Sequence, residues 1–164
     1  MITGKEELLQ VMIEAYLMEK GTNWFYSEVS RKAVDAEAKR GFGVLAGWER
    51  EHMQYMQYLY QSIMEQREMI TFEEFKKKAV ADTVEGGIPL RDLEGKMEEY
   101  SFLDDLGAFT VALEIEAKAH NLYKKLSETA GDTNVQAFMK EMMKWEEKHI
   151  EYLKALRYRI SETS

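Results

Sequence analysis

Apolar residues recur at spacings of three and four along four stretches of the chain, and each stretch reads as a long amphipathic helix. From Lys5 to Ala33 the stripe is Leu8, Met12, Ala15, Thr22, Tyr26 and Val29. A second helix starts near Asp35, a residue able to cap it, and carries Phe42, Leu45, Trp48, His52, Met56, Leu59 and Ile63 on one side. A third, from about Leu103 to Thr129, repeats the spacing with Leu106, Phe109, Leu113, Glu116, His120, Tyr123 and Ser127. Gly131 ends it, Asp132 can cap the fourth, and Phe138, Met142, Trp145, His149, Tyr152, Leu156 and Ile160 follow on one face. Gly41, Gly43 and Gly47 interrupt the second helix, so either packing compensates for their low helix propensity or something approaches the backbone closely there.

Between the second and third helices the pattern changes. Thr71 and Glu74 form a capping box, and Gly86-Gly87-Ile88-Pro89 holds the only proline. We read this segment as a connection containing one short helix, long enough to join two helices that run in the same direction. The predicted fold is therefore all-α: a ferritin-like four-helix bundle in a single domain, with one antiparallel hairpin over about 5–68, a crossover over about 69–102 and a second hairpin over about 103–161. The 164 residues suffice for one continuous core.

The two hairpins are copies. A shift of 97 residues carries Glu19 onto Glu116, Tyr26 onto Tyr123, Asp35 onto Asp132, Trp48 onto Trp145, Glu49 onto Glu146, His52 onto His149 and Tyr55 onto Tyr152. Unrelated hairpins can share apolar spacing, but they seldom share each glutamate and histidine of the core stripe.

Those polar residues carry the chemistry. Glu49-x-x-His52 and Glu146-x-x-His149 each place a carboxylate and an imidazole three residues apart, on one helix face. Two of the three histidines fall in this context. With Glu19 and Glu116, one glutamate from each of two helices joins a Glu-x-x-His from each of the other two, the ligand pattern of di-iron and di-manganese carboxylate bundles. Buried carboxylates without countercharge are costly, and two divalent cations neutralise four of them. Oxygen and imidazole donors suit iron or manganese, and zinc can substitute. Tyr26 and Tyr123, two turns beyond Glu19 and Glu116, are placed to orient the ligands through their hydroxyls, as are Tyr55 and Tyr152. His120, one turn beyond Glu116, reads more readily as a satisfied neighbour of the site than as a ligand. Trp48, Trp145 and the eleven methionines read as core filling.

Composition narrows the classes. The chain has no cysteine, which excludes disulfides, thiolate zinc sites, iron–sulfur clusters and a thiol nucleophile. A net charge of -8 argues against nucleic acid as a partner. The longest uncharged apolar-leaning run, Met53 to Met64, is too short to span a membrane, and the first residues lack a signal-peptide core, so a cytoplasmic location is expected.

The stretches Glu19 to Tyr26, Glu49 to His52, Glu116 to Tyr123 and Glu146 to His149 resemble the rubrerythrin-type members of the ferritin-like superfamily, over both hairpins and at all six ligand positions. The resemblance implies a site of two iron ions reacting with dioxygen or hydrogen peroxide. Two departures stand out. Peroxide-reducing rubrerythrins usually carry a further carboxylate one turn after the third-helix ligand, where this chain has Ala119. They also usually carry a cysteine-ligated rubredoxin domain, so here the electron donor is expected to be a separate molecule such as a rubredoxin. Association as a homodimer is in keeping with such bundles. The expected function is a non-haem di-iron oxidoreductase of ferroxidase or peroxidase type; the rival readings are an iron-handling module without organic substrate turnover and a purely structural metal site.

Overall fold

The computed structural model describes residues 4–64, 105–131 and 133–163, and all of its regular structure is helical. Four helices appear: α1 (Gly4–Lys32), α2 (Ala36–Met64), α3 (Asp105–Thr129) and α4 (Thr133–Thr163). α1 packs along α2 and α3 along α4, forming two hairpins that close into a four-helix bundle. The capping box at Thr71, the crossover with its short helix and the cap at Asp132 lie outside the described residues.

The turn between α1 and α2 is built as the residues require. Asp35 accepts hydrogen bonds at Oδ1 from the backbone N–H groups of Glu37 (2.8 Å) and Ala38 (2.9 Å), capping α2. Asp105, the first residue of α3, accepts from Val34 N–H at 3.1 Å and from Asp35 N–H at 2.7 Å. One carboxylate thus fastens the second hairpin to the turn of the first.

Two apolar layers fill the bundle. One gathers Phe25 and Val29 of α1, Phe42 and Leu45 of α2, Phe109 and Ile115 of α3, and Leu153 and Leu156 of α4. The other gathers Leu9 and Met12, Met56 and Tyr60, Ala119 and Tyr123, and Met139 and Met142. The order in which each helix enters the layers gives its direction: α1 opposes α2, α3 opposes α4, and α2 and α3 run the same way. That parallel relation is the one the crossover reading requires. Between the layers lie the glutamates and histidines.

On α3 the buried face is Phe109, Ala112, Ile115, Glu116, Ala119 and Tyr123, whereas Leu106, Leu113 and His120 of the expected stripe are only partly buried. Two overlapping stripes satisfy the same 3,4 spacing there. The structure buries the one that includes Ala112 and Ala119.

The glycines of α2 separate into different cases. A methyl group on Gly41 would collide with Cδ2 of Leu156, and one on Gly43 would stand 3.3 Å from Ser30 Oγ, while at Gly47 the nearest neighbour is the mobile tip of Arg50 at 3.8 Å. Gly41 is thus where α4 approaches the backbone of α2. Substitutions at Gly41 and Gly47 are expected to have opposite signs. Gly41→Ala should lose about 1–3 kcal/mol by overpacking, and Gly47→Ala should gain about 0.5–1 kcal/mol by lowering the entropy of the unfolded chain. Urea midpoints at unchanged m-value measure both; stabilisation by Gly41→Ala would refute the close approach.

Candidate metal centre

Each helix contributes one or two polar groups to the middle layer. α1 supplies Glu19, α2 Glu49 and His52, α3 Glu116, and α4 Glu146 and His149. All four glutamates are fully buried, His149 is 1% exposed, and the His52 side chain 13%. The structure therefore brings together all six residues singled out as ligands.

Their geometry is organised around the two Nδ1 atoms. His52 Nδ1 lies 3.4 Å from Glu19 Oε2 and 3.8 Å from Glu49 Oε2. His149 Nδ1 lies 3.1 Å from Glu49 Oε1, 3.2 Å from Glu116 Oε1 and 3.9 Å from Glu146 Oε2. Glu49 thus turns one oxygen toward each imidazole. Glu49, His52 and His149 form one group whose donor atoms all lie within 4.8 Å of one another, and Glu116, Glu146 and His149 form another. The buried cluster can hold a metal ion.

Electrostatics makes the same point. Burial pushes the pKa of His149 down, but the carboxylates of Glu116 and Glu49 outweigh it and pull the imidazole well above its ordinary value. Burial likewise pushes Glu49 up, and the charge of His149, with contacts to Glu19 and His52, holds it well below the usual carboxylate range. Without a cation, a proton on His149 occupies the position between carboxylates that a metal would take. Four buried carboxyl groups face only two imidazoles, so the cluster is rich in anionic donors. Both oxygens of Glu49, Oε2 of Glu116 and Nε2 of His149 have no partner at hydrogen-bonding geometry among the described residues. Converging donors and surplus negative charge are what a divalent cation binds.

The surrounding residues meet the expectations unevenly. The Tyr26 hydroxyl donates to Glu116 Oε1, on the opposite hairpin and not on its own helix. Tyr123 is fully buried. Tyr55 and Tyr152 lie edge-on against Trp145 (5.5 Å between centroids, 72°) and Trp48 (4.9 Å, 66°), and Tyr55 is 43% exposed. His120 stands apart from the cluster, with Nε2 3.1 Å from Glu147 Oε1, because it sits at the edge of the α3 face and not on it. Trp48 and Trp145, read as core filling, are only partly buried and stack on the imidazoles. Their position directly before the glutamate in both Glu-x-x-His motifs was the available signal. No protein-family model, curated protein or solved structure matches this chain.

The charge surplus predicts a sign reversal. In metal-free protein Glu146→Gln should be neutral or stabilising, since it removes one carboxylate from a buried cluster in which four glutamates face two imidazoles. The same change should abolish the rise in Tm produced by a divalent cation, which at a hundredfold excess over Kd corresponds to about 2.7 kcal/mol. Thermal unfolding with chelator and with Mn(II) measures both, and marked destabilisation of the metal-free variant would contradict the argument.

Proposed function

We propose that this chain is a non-haem di-iron protein of the rubrerythrin type, acting on dioxygen or hydrogen peroxide with electrons from a separate donor. The observation that carries the reading is the convergence of four buried carboxylates and two imidazole Nδ1 atoms between two apolar layers. In this reading Glu19, Glu49, His52, Glu116, Glu146 and His149 would hold two irons. Glu49 would reach toward both, since its Oε1 faces His149 and its Oε2 faces His52. The duplication puts Glu146 in the equivalent place. When bound, the metal pair supplies the redox chemistry that none of these side chains has by itself.

The chain's own residues do the rest. The Tyr26 hydroxyl holds Glu116 from across the bundle, fixing which oxygen of that carboxylate stays available. Phe42 and Phe109 on one side and Met56 and Met142 on the other keep bulk water from the carboxylates, which strengthens their attraction for a cation. Ala119, fully buried, adds no further donor.

Ala119 also favours a second reading in which the protein oxidises Fe(II) and passes it on without reducing peroxide efficiently. Purified metal-free protein titrated with Fe(II) in air should take up about two irons per chain and develop ferric charge-transfer absorption. Absence of both would sink the proposal. Glu49→Ala should abolish the paired site, whereas Tyr26→Phe should retain it with altered oxidation kinetics. Peroxide consumption with a supplied one-electron donor, compared with stoichiometric Fe(II) oxidation, decides between the two readings.

A further inference from the structure

Four aromatic rings stand in a column across the candidate centre, in the order Trp145, His52, His149 and Trp48. Trp145 stacks on His52 with centroids 4.1 Å apart and planes 14° apart. His52 stacks on His149 at 4.9 Å and 8°, and His149 on Trp48 at 5.5 Å and 19°. Tyr55 meets Trp145 edge-on, and Tyr152 meets Trp48 in the same way. The column is symmetric under the 97-residue repeat, which exchanges Tyr55 with Tyr152, Trp145 with Trp48 and His52 with His149. Packing alone does not require oxidisable rings at each end of a stack that passes through two metal-ligating imidazoles.

The symmetry is broken at one place. The ammonium of Lys148 lies over the Trp48 ring, 4.7 Å from its centroid. The repeat places Glu51 at the position equivalent to Lys148. A cation on the ring face opposes loss of an electron from that indole by simple Coulomb repulsion. Removing an electron from Trp48 is therefore harder than removing one from Trp145. The Trp145 branch also ends at Tyr55, which is 43% exposed, whereas Tyr152 is only partly exposed.

We infer that Tyr55 and Trp145 form a one-electron relay between the surface and the metal pair, entering through the face of His52, and that the Trp48 branch is held inactive by Lys148. The inference rests on the di-iron reading for its destination. Hydrogen peroxide is the oxidant. Once it has oxidised the centre, Trp145 gives one electron toward it through His52 and becomes an indole radical cation. Tyr55 refills it, releasing its phenolic proton to water at its exposed edge and becoming a neutral tyrosyl radical. An external one-electron donor returns the electron and water returns the proton. Two passages, with two protons, balance the reduction of one peroxide to two waters. Electron tunnelling falls steeply with distance, so rings in contact offer a faster route than the apolar layers around them.

The test separates relay from packing. Trp145→Phe keeps a stacked ring that cannot be oxidised under these conditions, Trp145→Tyr keeps an oxidisable one, and Trp48→Phe alters the other branch. With iron stoichiometry and Tm matched to the parent, the iron-loaded protein is mixed with hydrogen peroxide and ferrocyanide, and the growth of ferricyanide is followed. Trp145→Phe and Tyr55→Phe should slow reduction by about tenfold or more, while Trp145→Tyr and Trp48→Phe should stay within about threefold of the parent. A parent-like rate in Trp145→Phe overturns the inference. A second arm uses metal-free protein and a flash-generated tris(bipyridyl)ruthenium(III) oxidant. The indole radical absorption should fall in Trp145→Phe, decay more slowly in Tyr55→Phe and match the parent in Trp48→Phe; parent-like traces in all three variants overturn the inference. Failure to bind iron refutes the di-iron reading, and the metal-free arm then still decides whether Tyr55 and Trp145 exchange electrons.

Discussion

Glu19, Glu49, Glu116 and Glu146 are shut away from water in the middle of a helical bundle, and two imidazoles offset at most half of their charge. Isolated buried carboxylates are among the least stable arrangements a protein can hold, and the usual escape is protonation or a partner. Here the groups support one another: His149 holds Glu49 below the usual carboxylate range, and Glu116 and Glu49 pull His149 above its ordinary value. Much else follows from the need to hold those groups in place. The two apolar layers contribute the stability that the polar layer does not, and they lie on either side of it.

The packing shows how four helices can converge on one centre. Gly41 lets Leu156 reach the backbone of α2, and Ala112 and Ala119 of α3 are fully buried in the two layers. In the repeat the place of Gly41 is taken by Phe138, and that residue, with Leu59, lines an open groove of about 490 Å³ among α1, α2 and α4. One hairpin is therefore closed where its copy is open. Asp105 has no counterpart of its own kind in the first hairpin, since position 8 is Leu8, and it ties the two halves together at the end where α1 turns into α2.

Duplication explains the equivalence of the ligands, and its imperfections explain where the halves differ. The exchange of Glu51 for Lys148 changes the charge beside an indole; that of Asn23 for His120 changes a surface contact. Asn23 donates to the carbonyl of Ala46 at 2.7 Å, whereas His120 pairs with Glu147, the residue that replaces Arg50. Neither change touches the six ligands. Tyr26 reaching Glu116 shows the reverse, a link that crosses between the copies and makes each half depend on the other.

Helix positions, the Asp35 cap, the two hairpins and the six polar residues of the middle layer were all legible in the sequence, because 3.6-residue periodicity and motif spacing are local properties of the chain. At the turn of the first hairpin the ends agreed within a residue or so, with α1 closing at Lys32 and α2 opening at Ala36. Three things were decided only by tertiary structure. Rotation of α3 settled which of two equally spaced stripes is buried, and so turned His120 away from the centre and Ala119 toward it. The partner of the Tyr26 hydroxyl depended on which helices lie face to face, a relation that spacing along one helix does not contain. The ring column joins residues of α2 to residues of α4, so no reading of either helix alone shows that Trp145 covers His52 and Trp48 covers His149. Local periodicity determines what a helix can present; the angle and rotation at which helices pack determine what it meets.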